Sequence, residues 1–194
     1  GGDSIMTAQV PDKYEYEGKE YSIIAMSDDI EFSPEQYGLE PQYICTACWR
    51  GYAVKYAIED EKLLVKNLFV SDSSSGFPNI NGIEAESIGD IIFSHMYRNI
   101  NLQTEYTGKI VMGNGFIRDY YIHMGFQRAW AYEKVIELIF EKGVLVNVID
   151  HSEKVKAIRA EIEAGTREAK EDSIPTFVDK SFSLAMEDKT WWIY

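Results

Sequence analysis

The sequence predicts an α+β protein that is mainly an antiparallel, meandering β-sheet, curled or paired into a sandwich, with a C-terminal amphipathic helix. Three observations predict this fold class. Segments of alternating apolar and polar residues are joined by short turns. The chain has thirteen tyrosines, nine phenylalanines and four tryptophans, and aromatic side chains favour half-buried strand positions. The clearest helical stripe comes late in the chain, after Asp150.

The length of 194 residues suits a single domain with one hydrophobic core. We expect a flexible N-terminus over residues 1–11, an antiparallel β domain over residues 12–150, and a helix with an aromatic tail over residues 151–194 that packs on the same domain. No apolar run approaches the ~20 residues that a membrane-spanning helix needs. The sequence therefore predicts a cytoplasmic protein that makes no membrane contact.

Two short strands are predicted near the N-terminus. They lie on either side of Glu17-Gly18-Lys19, a turn that contains glycine and is typical of a hairpin. The following segment, residues 27–42, is acidic and holds two prolines, which predicts a loop. One helical turn is expected there after Ser33, because proline at the first helical position favours a helix start.

A long β-hairpin is predicted over residues 46–70, which read TACWRGYAVKYAIEDEKLLVKNLFV. Bulky residues alternate with small or polar ones along its first strand, and residues 59–62 form its turn. Beyond it we expect a flexible loop over residues 71–76. A short helix is expected over residues 88–97, where isoleucines recur at helical spacing.

The C-terminal half predicts two further hairpins and the helix. Gly113-Asn114-Gly115 predicts a tight turn between strands, because Asn-Gly accepts positive φ angles. Residues 129–149 predict a hairpin that turns at Lys142-Gly143. After Ser152, a predicted N-cap, apolar residues fall on one stripe of an amphipathic helix.

The net charge of −13 is concentrated at the N-terminus. Residues 1–42 hold ten acidic residues against two lysines, which is a net charge of −8. Such a surface repels nucleic-acid backbones and membrane headgroups, and it speeds encounter with a basic protein. The charge therefore favours a basic protein partner over nucleic acid.

Cys45 and Cys48 are the only cysteines, at CxxC spacing. The pair leads into a predicted strand instead of a helix, so no helix dipole would stabilise a thiolate, and we interpret both as small buried apolar residues. A second pair of ligands at zinc-site spacing is missing. We therefore predict neither a metal site nor a cofactor.

Five residues are candidates for a binding site. Arg50 follows a tryptophan at the start of the central strand, where a guanidinium either clamps an anion or pairs structurally with one of the many acidic residues. A histidine lies beside a tyrosine in a later predicted strand. No spacing of nucleophile, base or phosphate loop points to a catalytic residue. The five candidates are Trp49, Arg50, Tyr52, Tyr121 and His123.

Three motifs resemble those of an uncharacterised bacterial protein family. They are TACWRGY at residues 46–52, YIHMG at residues 121–125 and FEKGVLV at residues 140–146. This chain resembles the family in the TAxWRGY strand motif and in the closing FEKGV hairpin, and the resemblance covers about residues 43–148. It implies an association with toxin and immunity loci and assigns no chemistry.

The expected function is that of a non-enzymatic acidic binding protein, an immunity-type inhibitor of a basic toxin domain. One alternative is a small-molecule-binding or hydrolytic enzyme with a pocket near Trp49, Arg50, Tyr121 and His123. Another is a self-associating structural protein. The homodimer would then form through the aromatic tail, with Trp191, Trp192 and Tyr194 at the interface.

Overall fold

The computed structural model describes residues 11–43, 45, 48–120 and 127–165. Residues 1–10 of the predicted flexible N-terminus and residues 166–194 with the aromatic tail lie outside the described residues. The described strands are β1 (Lys13–Tyr16), β2 (Lys19–Met26), β3 (Tyr52–Glu59), β4 (Lys62–Val70), β5 (Glu86–Ser87), β6 (His95–Tyr97), β7 (Leu102–Gln103), β8 (Gly108–Phe116), β9 (Tyr132–Glu141) and β10 (Val144–Asp150). The α-helix, α1, is Ser152–Glu163, and short 3-10 turns cover Pro34–Tyr37, Arg118–Tyr120 and Ala129–Ala131.

Seven strands form a closed, mixed barrel in the order β10-β9-β8-β2-β1-β3-β4, because β10 also pairs with β4. The pair β1–β3 is parallel, with Tyr14 opposite Tyr56, and the other pairs are antiparallel. The α+β class is confirmed, but the predicted antiparallel curled sheet or sandwich is wrong. Local alternation marks where strands lie, whereas the long connection from β2 to β3 decides that β3 returns beside β1.

Three hairpins turn through two residues that both have positive φ. They are Glu17-Gly18 (51° and 74°), Asp60-Glu61 (49° and 61°) and Lys142-Gly143 (48° and 78°). Positive φ at both positions is the type I′ geometry, which matches the twist of the strands it joins. All three turns were predicted from the sequence and are confirmed.

The predicted turn at Gly113-Asn114-Gly115 is wrong, because these residues lie inside β8. The ring of Tyr132 on β9 fills the space above Gly113, and a Cβ built there would lie 2.4 Å from the ring Cγ atom. The Asn114 amide donates a hydrogen bond to the carbonyl of Glu20 (2.8 Å). Close packing from a neighbouring strand, not a turn, therefore explains this glycine.

The predicted helix over residues 88–97 is also wrong. Asp90 Oδ1 accepts hydrogen bonds from the backbone N–H groups of Ile92 (2.8 Å) and Phe93 (3.1 Å), so the side chain closes a turn here. The chain then enters β6. Phe93 packs with Cys48 and Ala53 outside the barrel, which is why the segment is apolar without being helical.

The interior of the barrel is apolar and aromatic. The Tyr14 and Tyr56 rings stack with centroids 5.0 Å apart. The hydrophobic cluster to which they belong draws residues from all seven barrel strands, so burying it requires the whole sheet. The buried residues of this interior include Leu63, Leu68, Val70, Ile110, Met112, Ile136, Leu138 and Phe140.

The predicted C-terminal helix is confirmed as α1 and packs on the outside of the barrel. Val155 is fully buried against Val111 and Val135. Glu137 lies two residues after Val135, on the same outer face of β9. Its Oε2 atom lies 2.7 Å from Nε2 of His151, the residue just before the helix. Only 5% of the Glu137 side chain and 11% of the His151 side chain are exposed, so this pair fixes the start of α1. No helix in the described part of the chain is long and apolar enough to span a membrane.

Gly113→Ala tests the packing of Tyr132. The added methyl group overlaps the ring, so we expect a loss of about 2 kcal/mol in the free energy of unfolding, measured by urea denaturation. Gly89→Ala is the matched control, because nothing lies within 4 Å of a Cβ there. An equal effect of both substitutions would contradict the packing role.

Glu61→Gly tests the strain in the β3–β4 turn. A side chain at φ 61° costs energy that glycine avoids, so we expect a gain of about 0.5 kcal/mol in unfolding free energy, seen as a higher melting temperature. Lys134→Gly, within the paired part of β9, is the control and should destabilise. A lower melting temperature for Glu61→Gly would show that its side chain contributes more than the strain costs.

Candidate functional site

A cleft of about 560 Å³ opens between the segment after β2 and the segment around β7. Its volume is within the range of pockets that hold ligands or partner side chains. We call it the acidic cleft. It is lined by Asp28, Asp29, Glu31, Phe32, Tyr37, Val65, Leu102, Gln103, Thr104, Glu105, Tyr106 and Thr107.

Hydrogen bonds to the barrel anchor both walls of the cleft. On one wall, the Ser27 N–H donates to the Lys109 carbonyl (3.0 Å) and the Lys109 N–H donates to Ser27 Oγ (2.8 Å). On the other wall, the N–H and the hydroxyl of Thr104 both donate to the Leu63 carbonyl (3.0 Å each). The acidic residues therefore extend from segments that are tied to β8 and β4.

Aromatic rings form the floor. Tyr106 is buried, contacts the Phe140 ring edge-on with centroids 5.9 Å apart, and donates a hydrogen bond to the Lys109 carbonyl (3.3 Å). Phe32 and Tyr37 are half-buried, and their ring centroids also lie 5.9 Å apart. The floor thus presents π surfaces, which attract cations.

Four carboxylates, those of Asp28, Asp29, Glu31 and Glu105, surround this floor and are exposed. None of the ion pairs between described residues involves any of them. Among the described lining residues there is no lysine or arginine. The cleft therefore carries negative charge that the described residues leave uncompensated.

Burial is the main cause that raises the pKa of Tyr106 to about 12. The nearby charges of Asp28 and Asp29 contribute to this increase, whereas hydrogen bonds with Ser27 and the Asp28 backbone oppose it. The phenol stays neutral over the physiological range. The charge of the cleft thus comes from its carboxylates alone, and the tyrosine contributes a ring and a hydroxyl.

This arrangement suits the binding of a cationic group. Carboxylates attract the charge, and the aromatic floor accepts the apolar stem of a lysine or arginine side chain. The carboxylates are solvated, which makes them poor general acids. In the described residues, no group of three or more His, Cys, Asp or Glu side chains is placed to hold a metal ion.

The predicted site residue Arg50 is engaged in the fold. Its guanidinium pairs with Asp12, lies 4.2 Å from the ring centroid of Tyr52, and donates through Nε to the Tyr52 carbonyl (2.8 Å). Asp12 Oδ1 also accepts the Val54 N–H (2.8 Å). The structural alternative for Arg50, pairing with an acidic residue, is the arrangement found.

Trp49 and Tyr52, the other predicted site residues that the structure describes, do not line the acidic cleft. Trp49 is 63% exposed, and Tyr52 is half-buried beneath Arg50. Tyr121 and His123 lie outside the described residues, as do the tail residues Trp191, Trp192 and Tyr194. The predicted pocket of Trp49, Arg50, Tyr121 and His123 therefore stays a prediction.

The cysteines occupy a turn, in which the Cys48 N–H donates to the Cys45 carbonyl (3.0 Å). Cys48 is buried, Cys45 is half-buried, and both are free thiols. Burial raises the pKa of the Cys48 thiol, which opposes formation of the reactive thiolate. The interpretation of Cys48 as a buried apolar residue is confirmed.

The acidic cleft was not predicted, although part of its signal was visible. The acidic N-terminal segment, whose charge is evident in the sequence, supplies Asp28, Asp29 and Glu31. Glu105 and Tyr106 belong to a distant part of the chain, which no local pattern links to that segment.

Comparisons with models of protein families, with curated proteins and with solved structures found no match for this chain.

Tyr106→Phe tests the buried phenol at alkaline pH. The pKa of the Tyr106 phenol is about 10 in the unfolded chain and about 12 in the folded protein. Folding is therefore more favourable when this phenol is neutral than when it is ionised. This contribution is complete below about pH 10 and is lost as the pH rises through about 12, which amounts to at most about 3 kcal/mol. We expect the variant to lose less unfolding free energy across this window.

The measurement is urea denaturation at a series of pH values from about 9 to 12. Tyr37→Phe is the control, because its ring lines the same cleft but is only half-buried. Identical pH slopes for the wild type and Tyr106→Phe would contradict the assignment.

Proposed function

We propose that this protein is a non-enzymatic binding protein whose acidic cleft holds a cationic segment of a partner protein. One observation carries the proposal. Four exposed carboxylates without described ion-pair partners surround a floor of aromatic rings. Lysine and arginine side chains complement both features, because their charge meets the carboxylates while their stems cover the rings.

The charge of the whole chain supports the same partner. A net charge of −13 attracts a basic protein from a distance and raises the association rate at low salt. The cleft then provides the local contacts that slow dissociation. Such a complex should weaken as salt screens the long-range attraction.

The resemblance at TAxWRGY and FEKGV implies an association with toxin and immunity loci, and the acidic charge favours a basic partner. Together they support a basic toxin domain as the partner and the role of an immunity-type inhibitor for this protein. An inhibitor of this kind needs surface complementarity and no chemistry of its own. The solvated carboxylates of the cleft fit that role better than general acid or base catalysis.

A charge-neutralising variant tests the cleft. Asp28→Asn, Asp29→Asn and Glu105→Gln combined remove three negative charges, each worth up to about 1 kcal/mol in an exposed ion pair. We expect the affinity for basic toxin domains, and for a lysine-rich peptide as a defined probe, to fall about tenfold or more. Isothermal titration calorimetry at several salt concentrations measures the change.

The matched control removes the same charge elsewhere. Glu84→Gln, Glu133→Gln and Glu153→Gln combined change three exposed residues that lie outside the cleft. This variant should lose only the small, salt-dependent part of the affinity. Equal losses in both variants, or no salt-sensitive complex with any basic probe, would contradict the proposed function.

A further inference from the structure

The outer edge of β10 is largely unpaired. At its start Val144 pairs with Lys62, and the Leu145 N–H donates to the Glu61 carbonyl (2.7 Å). The pairing is antiparallel, so beyond Leu145 the strand runs past the end of β4. Among the described strands, none pairs with this edge over residues 146–150.

Asn147 caps this edge with its own side chain. A bulge between Leu145 and Asn147 shifts the register against β9. The Val148 N–H then donates to Asn147 Oδ1 (2.9 Å), where an added strand would offer a carbonyl. The backbone donor of Val148 is thus satisfied by a side chain that can move aside.

A second cleft, of about 540 Å³, lies along this edge. Val146 and Val148 line it and are 51% and 39% exposed, although valine favours burial. Its other apolar lining residues are Tyr16, Ile58 and Leu145. Its acidic lining residues are Glu17, Asp60 and Glu61, which belong to two of the type I′ turns.

We propose that the β10 edge, residues 146–150, is a second interaction surface, to which an extended cationic segment of a partner protein adds as a further β-strand. The backbone of such a segment takes the place of the Asn147 side chain on the Val148 N–H. Its apolar side chains cover the exposed valines, and its lysines or arginines meet the acidic turns. Strand addition obtains affinity from main-chain hydrogen bonds and specificity from alternate side chains.

The negative charge beside the β10 edge favours a cationic segment over a second copy of this chain as the added strand. A second copy of this chain would bring the same acidic turns, Glu17 and Asp60-Glu61, to the edge, and like charges would oppose the pairing. A cationic segment is attracted by the same groups. This surface shares no lining residue with the acidic cleft, so the two proposals stand separately.

The test uses the full chain and a short fluorescent peptide of alternating lysine and valine. A second peptide has the same sequence but carries N-methyl groups on the backbone nitrogens of one edge, which keeps charge and side chains while removing hydrogen bonds. Fluorescence anisotropy at low ionic strength should show at least tenfold weaker binding of the methylated peptide.

Two substitutions, Val148→Pro and Asn147→Ala, both act on the Val148 N–H and should change peptide affinity in opposite directions. Val148→Pro deletes the outward donor at an edge position, where proline is tolerated, and should weaken peptide binding about tenfold. Val148→Thr keeps the donor and is its control. Asn147→Ala removes the competing side chain and should strengthen binding several-fold. Thermal melts monitor folding, and Asn147→Ala decides the outcome if Val148→Pro does not fold.

Equal binding of both peptides would overturn the proposal, because charge alone would then explain the affinity. An unchanged affinity for Asn147→Ala would do the same. Loss of binding only in the Asp28→Asn, Asp29→Asn, Glu105→Gln variant would assign the peptide to the acidic cleft and reject the β10 edge. A doubled mass of the protein without peptide, reversed by Val148→Pro, would identify a second copy as the occupant.

Discussion

Closure of the barrel at the start of β10 is the constraint on which the rest of the structure depends. Two backbone hydrogen bonds make it, from Leu145 to Glu61 (2.7 Å) and from Leu63 to Gly143 (2.9 Å). Gly143 is required here, because a Cβ at this position would lie 1.8 Å from the Thr104 carbonyl oxygen. Its N–H also donates to the Tyr106 carbonyl (2.7 Å). One turn therefore closes the sheet and fixes a wall and the floor of the acidic cleft.

Local features of the fold could be predicted from the sequence, because the forces that set them act between near neighbours. The type I′ turns and α1 depend on the residues at those positions. The parallel pairing of β1 with β3 depends on the path of a long connection, and the role of Gly113 depends on Tyr132 in another strand. Periodicity contains no information on either, which is why a sandwich and a sheet were both compatible with it.

The candidate site was predictable in its charge and not in its position. The acidic composition near the N-terminus indicated a cationic partner, and three of the cleft carboxylates come from that segment. An arginine beside aromatic residues, such as Arg50, suits ligand binding, but in the folded chain its guanidinium pairs with Asp12. Whether such an arginine is structural or binds a ligand depends on whether a carboxylate lies beside it in the folded protein. Local sequence spacing does not specify this, because Asp12 is distant from Arg50 in the chain.

The pairing of β2 with β8, which places Ser22 opposite Gly113, affects how the chain folds during its synthesis on the ribosome. The first four strands leave the ribosome well before β8, the later partner of β2, and β10, the later partner of β4, and distant pairings are slow to form. The emerging N-terminal half holds two hairpins, joined by the β1–β3 pairing, whose apolar faces stay partly uncovered until β8, β9 and β10 arrive. Its many acidic residues repel neighbouring nascent chains during that interval, so the charge to which we assign partner recruitment in the proposed function also opposes aggregation of the unfinished chain.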